Sequence, residues 1–414
     1  MIFAAAFALL AQTALAHGPG QDPRYRVEEV RPPASFSQGC LDGYRVFSQG
    51  VSVNDFGIVA GNFNCYTQVD GPAGVVKTNG GPFLWSPWFG GVELQDGDPT
   101  NAAFATSFNN RGEAFGGIFP PNSILHGVRW PLGGGMETLF SDASCQAFGL
   151  DLNIAVAGNG RYNVGFGWRL APELGSPYDF LCLQSFWLIK TPSGAEVRGP
   201  MGEARDINAL NVAVGTLASQ TSQVSSAIRY NLVNGQQRIL NTGDASHRPL
   251  PTDINDLGEV SGYISVVPAP DDPNTCASGI AVRWDRNDRE TRLPLLAGDV
   301  ASRAWAMGYD GDTYGESGPG EYCEPRYSEN ETAVVWRNGR VFDLNASISP
   351  SARITLVSAT AVNRWGQVVG YGYRNDDPLL ICPRFQIDPV TGIPTYDLSE
   401  RCRRGRIFLL TPNR

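Results

Sequence analysis

The sequence predicts an all-β protein, a seven-bladed β-propeller of four-stranded antiparallel blades whose last blade is completed by a strand from the N-terminus. Three observations lead there. A strand–turn–strand motif recurs seven times along 414 residues, and self-similarity at a fixed period of about 40–50 residues is a signature of radial repeat folds. Helical periodicity is nearly absent, while apolar residues alternate on either side of the turns. The last copy stops one strand short, and the segment before the first copy supplies a spare one. A solenoid of seven sheets is the alternative that the same repeat allows.

The copies close on Gly61, Gly116, Gly158, Gly215, Gly262, Gly315 and Gly370, spaced 42 to 57 residues apart, with those ending at Gly158 and Gly315 the weakest. Seven residues before each closing glycine stand Asn54, Asn109, Asp151, Asn208, Asn255, Gly308 and Asn363. These are the residue types that tolerate positive φ and make tight turns. Three positions on come Gly57, Gly112, Ile154, Asn211, Gly258, Gly311 and Gly366, so N-x-x-G reads as a hairpin turn. Eleven residues before the closing glycine sit Gly50, Ala105, Ala147, Ala204, Pro251, Ala304 and Ala359. Small residues there suit a strand crowded near a common axis.

A third strand follows in each copy, ending in six cases on an aromatic: Trp85, Trp130, Trp187, Tyr230, Trp284 and Trp336. A second turn and a short fourth strand complete each unit, as at Val341–Leu344. The seventh copy reaches only its third strand, at Arg406–Leu410, and Tyr25–Val30 is the spare strand expected to pair with it. Such closure removes exposed sheet edges, which invite aggregation.

Composition sets the compartment and excludes partners. Lys and Arg number 32 against 41 Asp and Glu, a net charge of −9, so no basic stripe is expected and a nucleic-acid partner is excluded. Residues 1–16 are almost wholly apolar and end in Ala14-Leu15-Ala16, a small-x-small cleavage site. They read as a signal peptide, although without a basic n-region. Residues 17–23 then form a mobile tail and 24–412 the propeller. No later run reaches the length of about 20 apolar residues that spans a bilayer, so membrane insertion is not expected and the protein is secreted or periplasmic.

Eight cysteines follow the signal segment: Cys40, Cys65, Cys145, Cys182, Cys276, Cys323, Cys382 and Cys402. An even count in an exported chain reads as disulfides, with 105 connectivities open. Proximity favours Cys40–Cys65, Cys145–Cys182, Cys276–Cys323 and Cys382–Cys402. With no C-x-x-C and three His in the chain, a zinc site is not expected.

The A-x-x-I-N-x-x-G-x-V-x-G copies, each followed by an aromatic strand, resemble the HAF-repeat family of bacterial extracellular proteins over most of residues 50–410. The His-Ala-Phe run of that family is replaced here by Gly81-Pro-Phe-Leu-Trp85, His126-Gly-Val-Arg-Trp130 and Ile280-Ala-Val-Arg-Trp284. The resemblance implies export and a propeller-like repeat; it lends no catalytic residues.

Function is expected on one face. The turns joining strands one to two and three to four share a face and are short. The longer connections, 62–82, 159–184, 263–280, 316–331 and 371–405, lie between strands two and three on the opposite face, as do all eight cysteines. Long loops carry an ordering cost that disulfides reduce, and held loops on a rigid scaffold are the usual place for recognition. Acidic and aromatic residues gather in the last three of these loops, and Glu321, Tyr322, Tyr327, Tyr371, Tyr373 and Asp377 are the expected ligand contacts. The expected function is binding of an extracellular glycan, protein or other ligand, with no catalysis evident. The alternative is a carboxylate-dependent hydrolase or lyase acting on a polysaccharide. No cofactor is expected. Asp310-Gly-Asp312-Thr-Tyr-Gly315 has the oxygen-rich look of a calcium loop but falls on a hairpin turn, and calcium is the one ion the acidic loops leave open.

Overall fold

The computed structural model describes residues 25–37, 40, 46–68, 76–94, 102–119, 125–140, 153–169, 184–218, 225–240, 248–266, 278–319, 329–382, 384–387, 394–397, 399 and 401–413. They form seven four-stranded antiparallel sheets arranged as the blades of a propeller. In blades 1 to 6 the strands follow chain order from the axis outward, as in blade 2 with Ala102–Phe108, Glu113–Phe119, His126–Pro131 and Glu137–Thr138.

Blade 7 takes Ile354–Val362, Val368–Arg374 and Arg406–Pro412 from the end of the chain and Tyr25–Val30 from its beginning. The N-terminal strand pairs antiparallel with Arg406–Pro412 from Tyr25↔Pro412 to Val30↔Ile407. Buried Tyr25 and Val30 anchor its two ends in different apolar clusters. Seven such clusters are present among the described residues, one at each blade–blade interface. Val59, Phe63 and Trp85 of blade 1 pack with Val369, Ile407 and Leu409 of blade 7, so the ring closes through apolar packing as well as through the shared sheet.

The repeat now has a mechanical explanation. In all seven innermost strands a β-bulge follows the small residue that pairs with the closing glycine: Gly50↔Gly61, Ala105↔Gly116, Ala155↔Gly165, Ala204↔Gly215, Pro251↔Gly262, Ala304↔Gly315 and Ala359↔Gly370. The bulge presses the preceding carbonyl into the space of a side chain; a Cβ on Gly116 would lie 1.9 Å from the Phe104 oxygen. At Gly165, Gly215, Gly262 and Gly315 the corresponding oxygen would lie 1.9 to 2.3 Å away, so only glycine fits there, whereas at Gly370 the nearest atom would be 3.2 Å away.

Two expectations are corrected in blade 3. The third copy does not run from Ala147 to Gly158. Its turn is Asn159–Tyr162, one residue shorter than the others, and its closing glycine is Gly165. Asp151 lies outside the described residues, and Ile154 is strand. The position of the outer aromatic is taken by Lys190, which pairs with Asn163, while Trp187 sits three residues earlier and donates from Nε1 to the Thr216 oxygen of blade 4.

The motif asparagine also works differently from a positive-φ turn residue. Positive φ falls on the fourth turn position, as at Gly57 and Gly258, not on Asn54 or Asn255. The asparagine side chain instead accepts two backbone N–H groups of its own turn; for Asn255 these are Leu257 and Glu259 at 3.1 and 2.8 Å. This is the Asx-turn use of asparagine. Its amide then donates to the corresponding carbonyl of the next blade: Asn109 to Gly158, Asn159 to Asn208, Asn208 to Asn255, Asn255 to Gly308 and Asn363 to Asn54, at 2.8 to 3.0 Å. Hydroxyls at the bulge add a second set of links, from Thr106 to Ala155, Thr252 to Ala304 and Thr360 to Gly50.

Candidate functional site

Antiparallel topology puts every connection between strands two and three on one face. The connections differ from the expected boundaries: in blade 1 the strands run on to Gln68 and resume at Val76, so most of 62–82 is ladder. Blade 3 has turn and strand through Arg169 where 159–184 reads as loop. The cores of the other long connections, 267–277 and 320–328, lie outside the described residues. Two of the expected disulfides are formed, Cys40–Cys65 and Cys382–Cys402, with Cα separations of 5.7 and 5.9 Å. Cys145, Cys182, Cys276 and Cys323 fall outside the described residues.

Glu321, Tyr322 and Tyr327 also lie outside them. The other three expected contacts are placed. Tyr371, expected at a surface, is 6% exposed, in the second strand of blade 7 opposite Ser358 and Ile407. Tyr373 has the Arg403 guanidinium over its ring at 4.7 Å, and Arg403 is in turn paired with Glu329. Asp377 accepts two hydrogen bonds from Arg406, at 2.8 and 2.7 Å. Burial works against its charge, but Arg406 outweighs burial and holds the Asp377 pKa below the ordinary carboxylate value.

What the structure assembles around Asp377 is basic. Arg374 ends the second strand of blade 7 and Arg406 begins the third. Both grip Glu29 of the N-terminal strand, Arg374 at 3.1 and 2.9 Å and Arg406 at 2.5 Å. Two further guanidiniums, Arg404 and Arg31, line the same cavity of about 440 Å³ on the long-loop side of the seam between blades 7 and 1. Arg404 is half-buried and donates no hydrogen bond among the described residues. Burial and then the like charge of Arg406 lower its pKa from the usual arginine value. The loop behind it is held by the Cys382–Cys402 bridge and the short ladder of Leu380–Ile381 with Arg401–Cys402.

A second cluster lies on the long-loop half of blade 6. Glu316 and Glu331 are 5% and 8% exposed. Arg303 stands 3.8 Å from Glu316 and packs its guanidinium over Tyr263 at 5.5 Å, and the Tyr263 ring meets Trp305 edge-on. Burial raises the pKa of Glu316 against the pull of Ser358 and Arg303. Burial, reinforced by the charge of Glu316, pushes Glu331 up to about 8.

The Asp310–Asp312 segment is a turn: Asp310 accepts the Asp312 N–H at 3.1 Å, and Asp312 is paired with Arg337. No three His, Cys, Asp or Glu side chains converge as a metal-binding set among the described residues. No helix among them is long and apolar enough to cross a membrane.

Sequence reasoning singled out Asp377 but missed its arginine partners and Glu29. Arg374, Arg404 and Arg406 are unremarkable in a chain with 32 basic residues. Only the pairing of residue 29 with the end of the chain brings Arg374 and Arg406 onto one carboxylate, with Arg404 beside them.

No family model matches the sequence, and no curated protein matches it. Among solved structures the chain is similar to an oligogalacturonate lyase in complex with manganese, at 10% identity and TM-score 0.47, over 94% of this chain and 93% of that one. It is similar to the β-propeller domain of the Trilobed protease from Pyrococcus furiosus at 10% identity and TM-score 0.42, over 88% and 96%. TolB from Acinetobacter baumannii aligns at 10% identity and TM-score 0.37, over 84% and 80%. Likeness at these values extends to the fold alone.

Proposed function

We propose that the protein is an exported, disulfide-stabilised propeller that binds an extracellular glycan or protein on its long-loop face, as a divergent relative of the HAF-repeat proteins. One observation carries the reading: the two faces are built for different tasks. Short turns on one face are consumed in blade-to-blade hydrogen bonds. The other face carries the connections braced by Cys40–Cys65 and Cys382–Cys402 and the cavity at the seam. Disulfides belong to an oxidising compartment, which supports the proposed signal peptide at residues 1–16 and a secreted or periplasmic location.

The proposed ligand contacts are Glu321, Tyr322, Tyr327, Tyr371, Tyr373 and Asp377, of which Tyr371 is buried and Asp377 is paired with Arg406. A glycan array and a panel of purified extracellular proteins, probed with residues 17–414, tests this. Saturable binding is expected, lost in Tyr322→Ala/Tyr327→Ala and retained in Arg111→Gln on the short-turn face. Binding to nothing in either panel, or loss confined to Arg111→Gln, overturns it.

A second reading, a hydrolase or lyase acting on a polysaccharide, is favoured by the Glu316–Glu331 pair. Two buried carboxyls beside Arg303, with the pKa of Glu331 pushed up to about 8 and that of Glu316 also raised by burial, supply a proton donor of the kind general-acid catalysis uses. Release of reducing ends from polysaccharides, abolished by Glu331→Gln, would establish it; its absence across a polysaccharide panel would remove it.

A further inference from the structure

We infer that the cavity at the seam of blades 7 and 1 is a binding site for an oxyanion group, carboxylate, phosphate or sulfate, held by Arg404 and Arg31. The inference rests on the proposal that the long-loop face binds a ligand and adds the chemistry of one part of it.

The charge balance is the first argument. Four guanidiniums, Arg31, Arg374, Arg404 and Arg406, meet two carboxylates, Glu29 and Asp377, in a protein whose net charge is −9. Glu29 is shared between Arg374 and Arg406, and Asp377 is spent on Arg406. Among the described residues two positive charges are left over, and they belong to Arg404 and Arg31.

The cost of burial is the second. Arg404 is partly withdrawn from water beside Arg406 without a hydrogen-bond acceptor among the described residues, and burial and the like charge outweigh the pull of Asp377 and Glu29 on its ionised form. A withdrawn cation is stabilised by a paired anion, and a planar guanidinium fork matches a carboxylate, phosphate or sulfate edge with two parallel hydrogen bonds.

The third is preorganisation. Arg374 and Arg406 are locked by Glu29 and Asp377, and Arg404 follows the Cys402 anchor by two residues. Arg31 follows directly on the seam strand. The cavity, about 440 Å³, has the size of a small-ligand pocket. The structural pairs and the two guanidiniums without a partner among the described residues line the same cavity.

Isothermal titration with inorganic phosphate, sulfate and malonate, at constant ionic strength set with chloride, tests the site. Saturable binding of at least one of the three is expected, with affinity reduced at least tenfold in Arg404→Gln and Arg31→Gln and unchanged in Arg111→Gln. Phosphate or sulfate in preference to malonate identifies a tetrahedral group, and the reverse a carboxylate. Neither Arg404 nor Arg31 carries a structural pair among the described residues, so both variants are expected to fold, checked by an unchanged melting temperature. Failure of all three anions to exceed chloride, or equal binding by Arg404→Gln, overturns the inference. A glycan or protein that binds the face equally well in Arg404→Gln leaves the broader proposal standing while the anion site falls. Saturable phosphate, sulfate or malonate binding with empty glycan and protein panels does the reverse.

Discussion

The two faces of this propeller spend the same residue types in opposite ways. On the short-turn face the motif asparagines are turned inward to the scaffold: Asn255 accepts from its own turn and donates to Gly308 of the next blade. On the long-loop face, polar groups are left over. Among the described residues Arg404 and Arg31 exceed the carboxylates that line their cavity, and Glu316 and Glu331 are both buried, with Arg303 3.8 Å from Glu316. Saturated polar networks specify a structure, and unsaturated ones mark places where something else is to be bound or a proton held. The lesson is that the repeat motif belongs to architecture, and that the unpaired and buried charges lie where repetition breaks down.

The comparison can be broken most severely at the seam. Deleting residues 25–30 removes the fourth strand of blade 7, strips Tyr25 and Val30 from two apolar clusters and exposes a sheet edge. The expected loss exceeds about 5 kcal/mol, comparable with the whole net stability of a typical domain. Circular dichroism should show no cooperative melt; an unchanged melting temperature would mean the seam does not hold the ring. Next comes Gly116→Ala, which places a Cβ 1.9 Å from a backbone oxygen at the bulge. About 2–4 kcal/mol is expected from denaturant melts. The control Gly194→Ala sits in an outer turn at φ +81° with nothing within 4 Å, and should cost about 1–2 kcal/mol of left-handed strain alone.

A pH titration sharpens the other side of the comparison. Glu331 binds its proton up to about pH 8 when folded and to its ordinary value when unfolded. Between those values the native state holds more protons than the unfolded state, so stability is full in mild acid and declines as pH rises through 8. About 4 kcal/mol should be lost between pH 5 and pH 9. Melting temperatures measured across that range should slope downward in the parent and flatten in Glu331→Gln. An equal slope in both would place the pH dependence elsewhere.

Much of the ring was legible because repetition reports packing. Six of seven closing glycines, the small residues opposite them and the spare strand at Tyr25–Val30 are where the motif puts them. Blade 3 misled because its turn is one residue short and Asn159-Gly160 hides among other glycines and asparagines. The bulge was invisible, since the residue it inserts is Thr in three blades but Val51, Val156, Arg205 and Trp305 in the others. The candidate site was legible only as a face. Arg374, Arg404 and Arg406 need Glu29 from the far end of the chain before they become a site, and no local pattern announces a partner more than 340 residues away.

The smallest expected effect isolates what the blade-to-blade links contribute. Asn54 and Asn255 make the same turn with the same two accepted N–H bonds. They differ in the amide: Asn255 donates at 3.0 Å to both Gly308 and Glu259, whereas the Asn54 Nδ2 is buried without an acceptor. Substituting alanine removes the turn bonds in both, at about 1 kcal/mol each time, as for loss of a helix N-cap. Only Asn255→Ala also leaves the Gly308 carbonyl without its side-chain donor, adding about 1 kcal/mol. Urea melts of the two variants should therefore differ by about that amount, with Asn54→Ala the more stable. Equal midpoints would show that the turn alone, not the link to the next blade, explains the asparagine in the repeat.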